Sequence, residues 1–146
     1  MSVRFKLDYR EFPAEPCAAF PQRRSALRPA VPITLINGDE QLRYFALVDS
    51  GADFCIFHAE VGEQIGLDIE SGKKLEFSGI EVNKGLTAYF HQIDIQVGGY
   101  KFGCYAGFSK DLEGLPYGLL GQVGFFDLFK ISFEYGKERL ELQSIE

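Results

Sequence analysis

The stretch Ala46-Leu47-Val48-Asp49-Ser50-Gly51-Ala52-Asp53 decides how this chain is read. An apolar run delivers a carboxylate, a small hydroxyl residue and a glycine, and the chain turns apolar again at Phe54-Cys55-Ile56-Phe57. Asp, Ser and Gly are ordinary turn residues, so the tetrapeptide alone fits a solvated hairpin tip. The apolar runs on both sides argue for something else, an acid set at the end of buried strands. Each residue type then has a task. A buried strand holds the carboxylate in one place. Gly51 admits a turn that a side chain would block. The Ser50 hydroxyl bonds within the turn or across to a partner, and Ala52 leaves room for close backbone approach.

Working outward, residues 31–36 form a β-branched run ending at Asn37-Gly38, a strong hairpin signal, and residues 42–48 read as the return strand. Residues 3–9 alternate apolar and polar, a strand pattern. Residues 10–30 contain Pro13, Pro16, Pro21 and Pro29 and read as an irregular connector. A short helix is expected over residues 58–66, with Val61 and Ile65 on one face. Residues 75–80 and 87–97 read as two strands around a glycine-bearing tip, and Gly98-Gly99 turns the chain into a strand over residues 100–108. After Gly118-Leu119-Leu120-Gly121, residues 123–129 read as a short helix. Residues 131–135 and 139–142 form a closing hairpin around Gly136-Lys137. There is no internal repeat. The expected division is residues 1–30 as an N-terminal strand and Pro-rich connector, and residues 31–146 as the main domain.

At 146 residues the chain fits one domain that buries roughly 70% of its unfolded surface, so it needs no staples. A net charge of −6 argues against nucleic acid or an anionic membrane as the main partner. The basic pair Arg23-Arg24 lies in the Pro-rich stretch and reads as solvated. Cys17, Cys55 and Cys104 are odd in number and contain no CxxC, so neither a disulfide framework nor a metal site is expected, and no cofactor. The first residues lack an apolar core, so no secretory signal is expected. No apolar run approaches the roughly 18 residues of a membrane span. A cytoplasmic protein with reduced thiols is the simplest expectation. His58 and His91 are the two histidines. Pairing with Cys55 or Cys104 would be needed for thiol chemistry, and Cys55 reads instead as a small core residue. The acids Asp68, Glu70, Asp111, Glu113, Glu138 and Glu141 read as a solvated face.

Asp49-Ser50-Gly51-Ala52 resembles the Asp-[Ser/Thr]-Gly-Ala signature of retropepsin-like (retroviral-type) aspartic proteases, and Leu119-Leu120-Gly121 is similar to that family's apolar-apolar-Gly element. The likeness spans roughly residues 31–142. It implies an all-β, closed, mostly antiparallel barrel with one or two short helices. It implies Asp49 as the catalytic acid, with Ser50, Gly51 and Ala52 supporting the turn and Leu119, Leu120 and Gly121 as the loop beneath it. Asp53 and a flap carrying Gly79, Ile80 and Gly85 would contact substrate. The sequence contains one such turn, so the resemblance implies a homodimer that cleaves a peptide or protein substrate, with terminal strands at the interface. Many viral members have Arg after the apolar-apolar-Gly element, where this chain has Gln122. That Gln offers Asp53 a neutral hydrogen bond in place of an ion pair. The alternative within the same fold is an inactive dimeric peptide-binding or scaffolding module.

Overall fold

The computed structural model describes residues 2–78, 85–112 and 114–145. Among them the strands are β1 (Arg4–Asp8), β2 (Arg10–Pro13), β3 (Ser25–Arg28), β4 (Ala30–Asn37), β5 (Glu40–Val48), β6 (Ile56–His58), β7 (Lys73–Ser78), β8 (Gly85–Val97), β9 (Tyr100–Ser109), β10 (Gly118–Leu120), β11 (Phe129–Glu134) and β12 (Arg139–Ser144). One helix, α1 (Ala59–Gln64), follows β6 and buries Val61 against the core.

The central sheet runs β4-β5-β10-β6-β9-β8-β7, and β4 also pairs with β8 through Thr34↔Gln96, Leu35↔Ile95 and Ile36↔Asp94. That extra pairing closes β4, β5, β10, β6, β9 and β8 into a ring, with β7 outside it. Alternation along each strand fills the interior, because successive side chains point to opposite faces. Val31, Ile33 and Leu35 of β4 meet Ile93, Ile95 and Val97 of β8 and Cys104, Ala106 and Phe108 of β9, all buried. Each of the Val, Ile, Leu and Phe side chains among them contributes about 1.5–3 kcal/mol.

A second sheet, β1-β12-β11, seats Leu140 and Leu142 in the same core. β12 is paired on both edges within its own chain, to β1 and to β11. Within the chain β12 therefore has no free edge; β1 and β11 are the edges of this sheet.

Three local expectations are corrected. The first hairpin turns at Gly38-Asp39, one residue later than the Asn37-Gly38 signal suggests, because Asn37 still pairs with Glu40. Gly38 has φ +60° and no non-glycine residue there is left-handed, which is the pattern of a II′ turn. Second, the proline-bearing segment is irregular only over residues 14–24. β2 and β3 form an antiparallel ribbon from Arg10↔Arg28 to Pro13↔Ser25. Third, residues 123–129 do not form a helix. Gly124 takes φ +109° and its N–H is held by the Asp127 carboxylate (3.1 Å to Oδ1). The backbone bonds that follow skip irregularly, Asp127 N–H to Gln122 O and Phe129 N–H to Phe125 O, and Phe129 already opens β11. Among the described residues no helix is long and apolar enough to cross a membrane.

Candidate active site

β5 carries Asp49 at its end and β6 leaves from the far side of the same turn. β10 is inserted between them, parallel to β5 (Leu120↔Val48) and antiparallel to β6 (Leu119↔Ile56). The turn is closed on itself by Ala52 N–H donating to Asp49 O at 3.1 Å. The connection after β10 then braces it from below. Asp49 N–H donates to Leu120 O (3.0 Å), Gln122 N–H to Ala52 O (2.9 Å), and Val123 N–H to Asp53 O (2.9 Å). Backbone groups on both sides of the acid are thus paired to a second layer, leaving the turn little freedom.

Two glycines make this possible by size. A Cβ on Gly121 would collide with the Phe54 and Ala52 carbonyls, the latter at 2.6 Å. A Cβ on Gly51 would sit 3.2 Å from Asp49 Oδ1. Gly51 does not adopt positive φ, so its role is closeness to the carboxylate: its N–H donates to Asp49 Oδ1 at 2.9 Å. Asp49 itself is half-buried.

The supporting residues expected from the sequence fall in this one place: Ser50, Gly51 and Ala52 in the turn, Leu119, Leu120 and Gly121 beneath it. Asp53 follows it, exposed, with its carbonyl engaged by Val123. Gln122 does not turn to the Asp53 carboxylate; its Nε2 donates to Ser50 O at 2.8 Å. Gly85 starts β8 opposite Ser78, in the hairpin that would be the flap. Gly79 and Ile80 lie outside the described residues, as does Glu113.

Other residues, which the sequence did not assign to the site, bear on its surroundings. Pro29 O accepts Val48 N–H at 2.9 Å, one residue before Asp49. Tyr117, just before β10, is buried under the ring of Phe12 at 5.0 Å. Asp111 is more than a solvated acid, because its Oδ2 accepts Thr87 N–H at the base of β8 (2.9 Å). Cys55 and Cys104 are both buried, and each Sγ would lie 3.2 Å from a Cβ placed on Gly124. A hydrogen bond to the Cys55 sulfur, with burial added, pushes the Cys104 thiol far above its ordinary range. The histidines do not serve these thiols: His58 Nε2 contacts Leu115 O (3.0 Å) and His91 Nε2 contacts Ile69 O (2.8 Å). Among the described residues no cluster of three His, Cys, Asp or Glu side chains is placed to hold a metal ion.

No protein-family model and no curated protein sequence matches the chain. Solved structures do. A retropepsin-like aspartic protease from Rickettsia conorii superposes with a TM-score of 0.61 at 14% identity, over 99% of this chain and 92% of that one. The chain has the retropepsin-like fold. EIAV protease complexed with the inhibitor HBY-793 matches at a TM-score of 0.46 and 18% identity, over 65% of this chain and 82% of the other. The retropepsin-like fold accounts for the ring of strands and for β10 passing between the two arms of the Asp49 turn. The expected fold class is the one found, with one α-helix.

Proposed function

We propose that this chain is an aspartic-type endopeptidase that acts as a homodimer. Asp49 and its symmetry mate form the catalytic pair. Two carboxylates about 3 Å apart cannot both ionise, so one keeps a proton and the other acts as base. The ionised member takes a proton from water, which attacks the peptide carbonyl, while the protonated member stabilises the developing oxyanion. The observation that carries this reading is the Asp49 turn itself. A single carboxylate is held by Gly51 N–H and braced by residues 120–123, on a retropepsin-like fold whose sequence contains one such turn. A closed two-fold pairing supplies the second acid.

In this reading the β7–β8 hairpin closes over a peptide, with Gly79, Ile80 and Gly85 on the flap and Asp53 at the edge of the cleft. Residues 31–146 form the protease domain, and residues 1–30 add a strand and a ribbon to it. Three unpaired thiols fit a reducing compartment such as the cytoplasm. The test is cleavage of an unbiased peptide library by wild type and Asp49→Asn, with sedimentation equilibrium on both. Cleavage by dimeric wild type, lost in a variant that remains dimeric, supports the proposal. Activity also falls at both ends of its pH profile, because only the singly protonated pair works. Full cleavage by a monomer, or by the Asn variant, refutes it.

A further inference from the structure

The ribbon of β2 and β3 makes contacts at its root and almost none at its tip. At the root, Phe12 packs on Tyr117, Arg10 lies 4.1 Å over the Phe45 ring, and Pro29 accepts the Val48 N–H beside Asp49. Beyond the last strand pair, Ala14 N–H still reaches Arg24 O (3.0 Å), and the tip is locked by Cys17 N–H to Phe20 O (3.3 Å) and Phe20 N–H to Cys17 O (3.1 Å). Residues 15–25 are nevertheless all exposed, and the Phe20 ring is 63% exposed. A phenyl ring held in solvent by an ordered turn forgoes stabilisation that burial would return.

We propose that this ribbon is an arm that clasps a second copy of the chain, with Phe20 buried against that copy. The inference rests on the paired-Asp49 reading above. If two Asp49 turns meet at a two-fold axis, both arms root beside that axis, so each crosses to the partner after a short distance. At about 3.3 Å per residue the paired strands alone reach roughly 13 Å from the root, and residues 14–24 carry the tip beyond them. Charge favours the same occupant. Residues 10–28 carry four arginines against two glutamates, so with the chain at −6 the rest of each copy holds −8.

Cys17 provides the probe, since it is exposed while Cys55 and Cys104 are buried. Benzophenone-maleimide attached to Cys17 is photolysed in an equimolar mixture of unlabelled and isotope-labelled chains, and the cross-links are read by mass spectrometry. Sedimentation equilibrium is run on wild type, on Phe20→Ser, and on a variant in which residues 14–24 are replaced by Asn-Gly. The expected result is mixed-isotope cross-links and dimer dissociation constants raised about tenfold or more in both variants, with unchanged circular dichroism. Intrachain cross-links alone, or dissociation constants within about twofold of wild type, overturn the clasp. So does a shortened variant that cleaves faster while staying dimeric, because the arm would then cover its own cleft. If wild type dimerises and cleaves while the arm variants match it, the clasp falls and the protease reading stands. If wild type cleaves as a monomer, both fall.

Discussion

The Asp49 turn and the ribbon tip at residues 17–20 are built alike and supported differently. Each is a four-residue turn closed by a backbone bond of 3.1 Å, Ala52 N–H to Asp49 O in one and Phe20 N–H to Cys17 O in the other. The Asp49 turn then rests on a second layer: Leu120, Gln122 and Val123 are all bonded to it, and Gly121 lies close beneath the Phe54 carbonyl. The tip has no second layer, and its residues stand in solvent. Local bonds are therefore enough to shape a turn, whereas the Asp49 carboxylate is positioned with support from distant parts of the chain. The tip's order without support fits a surface completed by another molecule.

The sharpest way to break this contrast is at the acid. Asp49→Asn keeps an oxygen for Gly51 N–H but removes the proton that the proposed Asp49 pair would share. Peptide cleavage should fall by at least about a hundredfold, while the thermal midpoint moves by the equivalent of less than about 1 kcal/mol. Next in size is Gly121→Ala, which forces a methyl group onto two carbonyls at the heart of the second layer. It should cost about 3 kcal/mol or more in urea unfolding, a loss spread over the whole domain. Gly51→Ala is gentler in stability, about 1 kcal/mol, because its Cβ meets one side-chain oxygen at 3.2 Å. It should lower kcat about tenfold by displacing the Asp49 carboxylate, with KM little changed.

These differences in support also explain what could be read beforehand. The Asp49 turn was legible because Ala46-Leu47-Val48 and Cys55-Ile56-Phe57 announce buried strands on either side of polar turn residues. The hairpins at Gly98-Gly99 and Gly136-Lys137 were legible for a similar reason, since glycine marks the turn. The helix expected over residues 123–129 failed because Phe125, Phe126 and Phe129 have helical spacing, while Gly124 at φ +109° takes the backbone out of the helical region where the first turn would begin. The β2–β3 ribbon was hidden by its prolines. Pro13 ends one strand and Pro16 and Pro21 fall in the loop, where neither removes a ladder hydrogen bond. The insertion of β10 between β5 and β6 is a pairing across some seventy residues, and no local pattern encodes it; it entered through the resemblance of Leu119-Leu120-Gly121.

The smallest expected effect tests how the second layer meets the turn at its exposed corner. Gln122 donates from Nε2 to Ser50 O at 2.8 Å, at the surface, so water replaces much of what is lost on truncation. Gln122→Ala should cost about 0.5–1 kcal/mol in urea unfolding, the low end for a neutral hydrogen bond. Gln122→Arg separates two contributions at the same corner. An arginine gives up the fit to the Ser50 carbonyl and gains the carboxylate of Asp53, which is exposed, and an exposed ion pair contributes about 0–1 kcal/mol. The Arg variant should therefore unfold within about 1 kcal/mol of wild type, with any gain vanishing as salt is raised. A larger, salt-resistant gain would mean that the Ser50 bond contributes nothing to holding the turn, and that the bonds made by residues 120, 122 and 123 through their backbones carry the whole of its support.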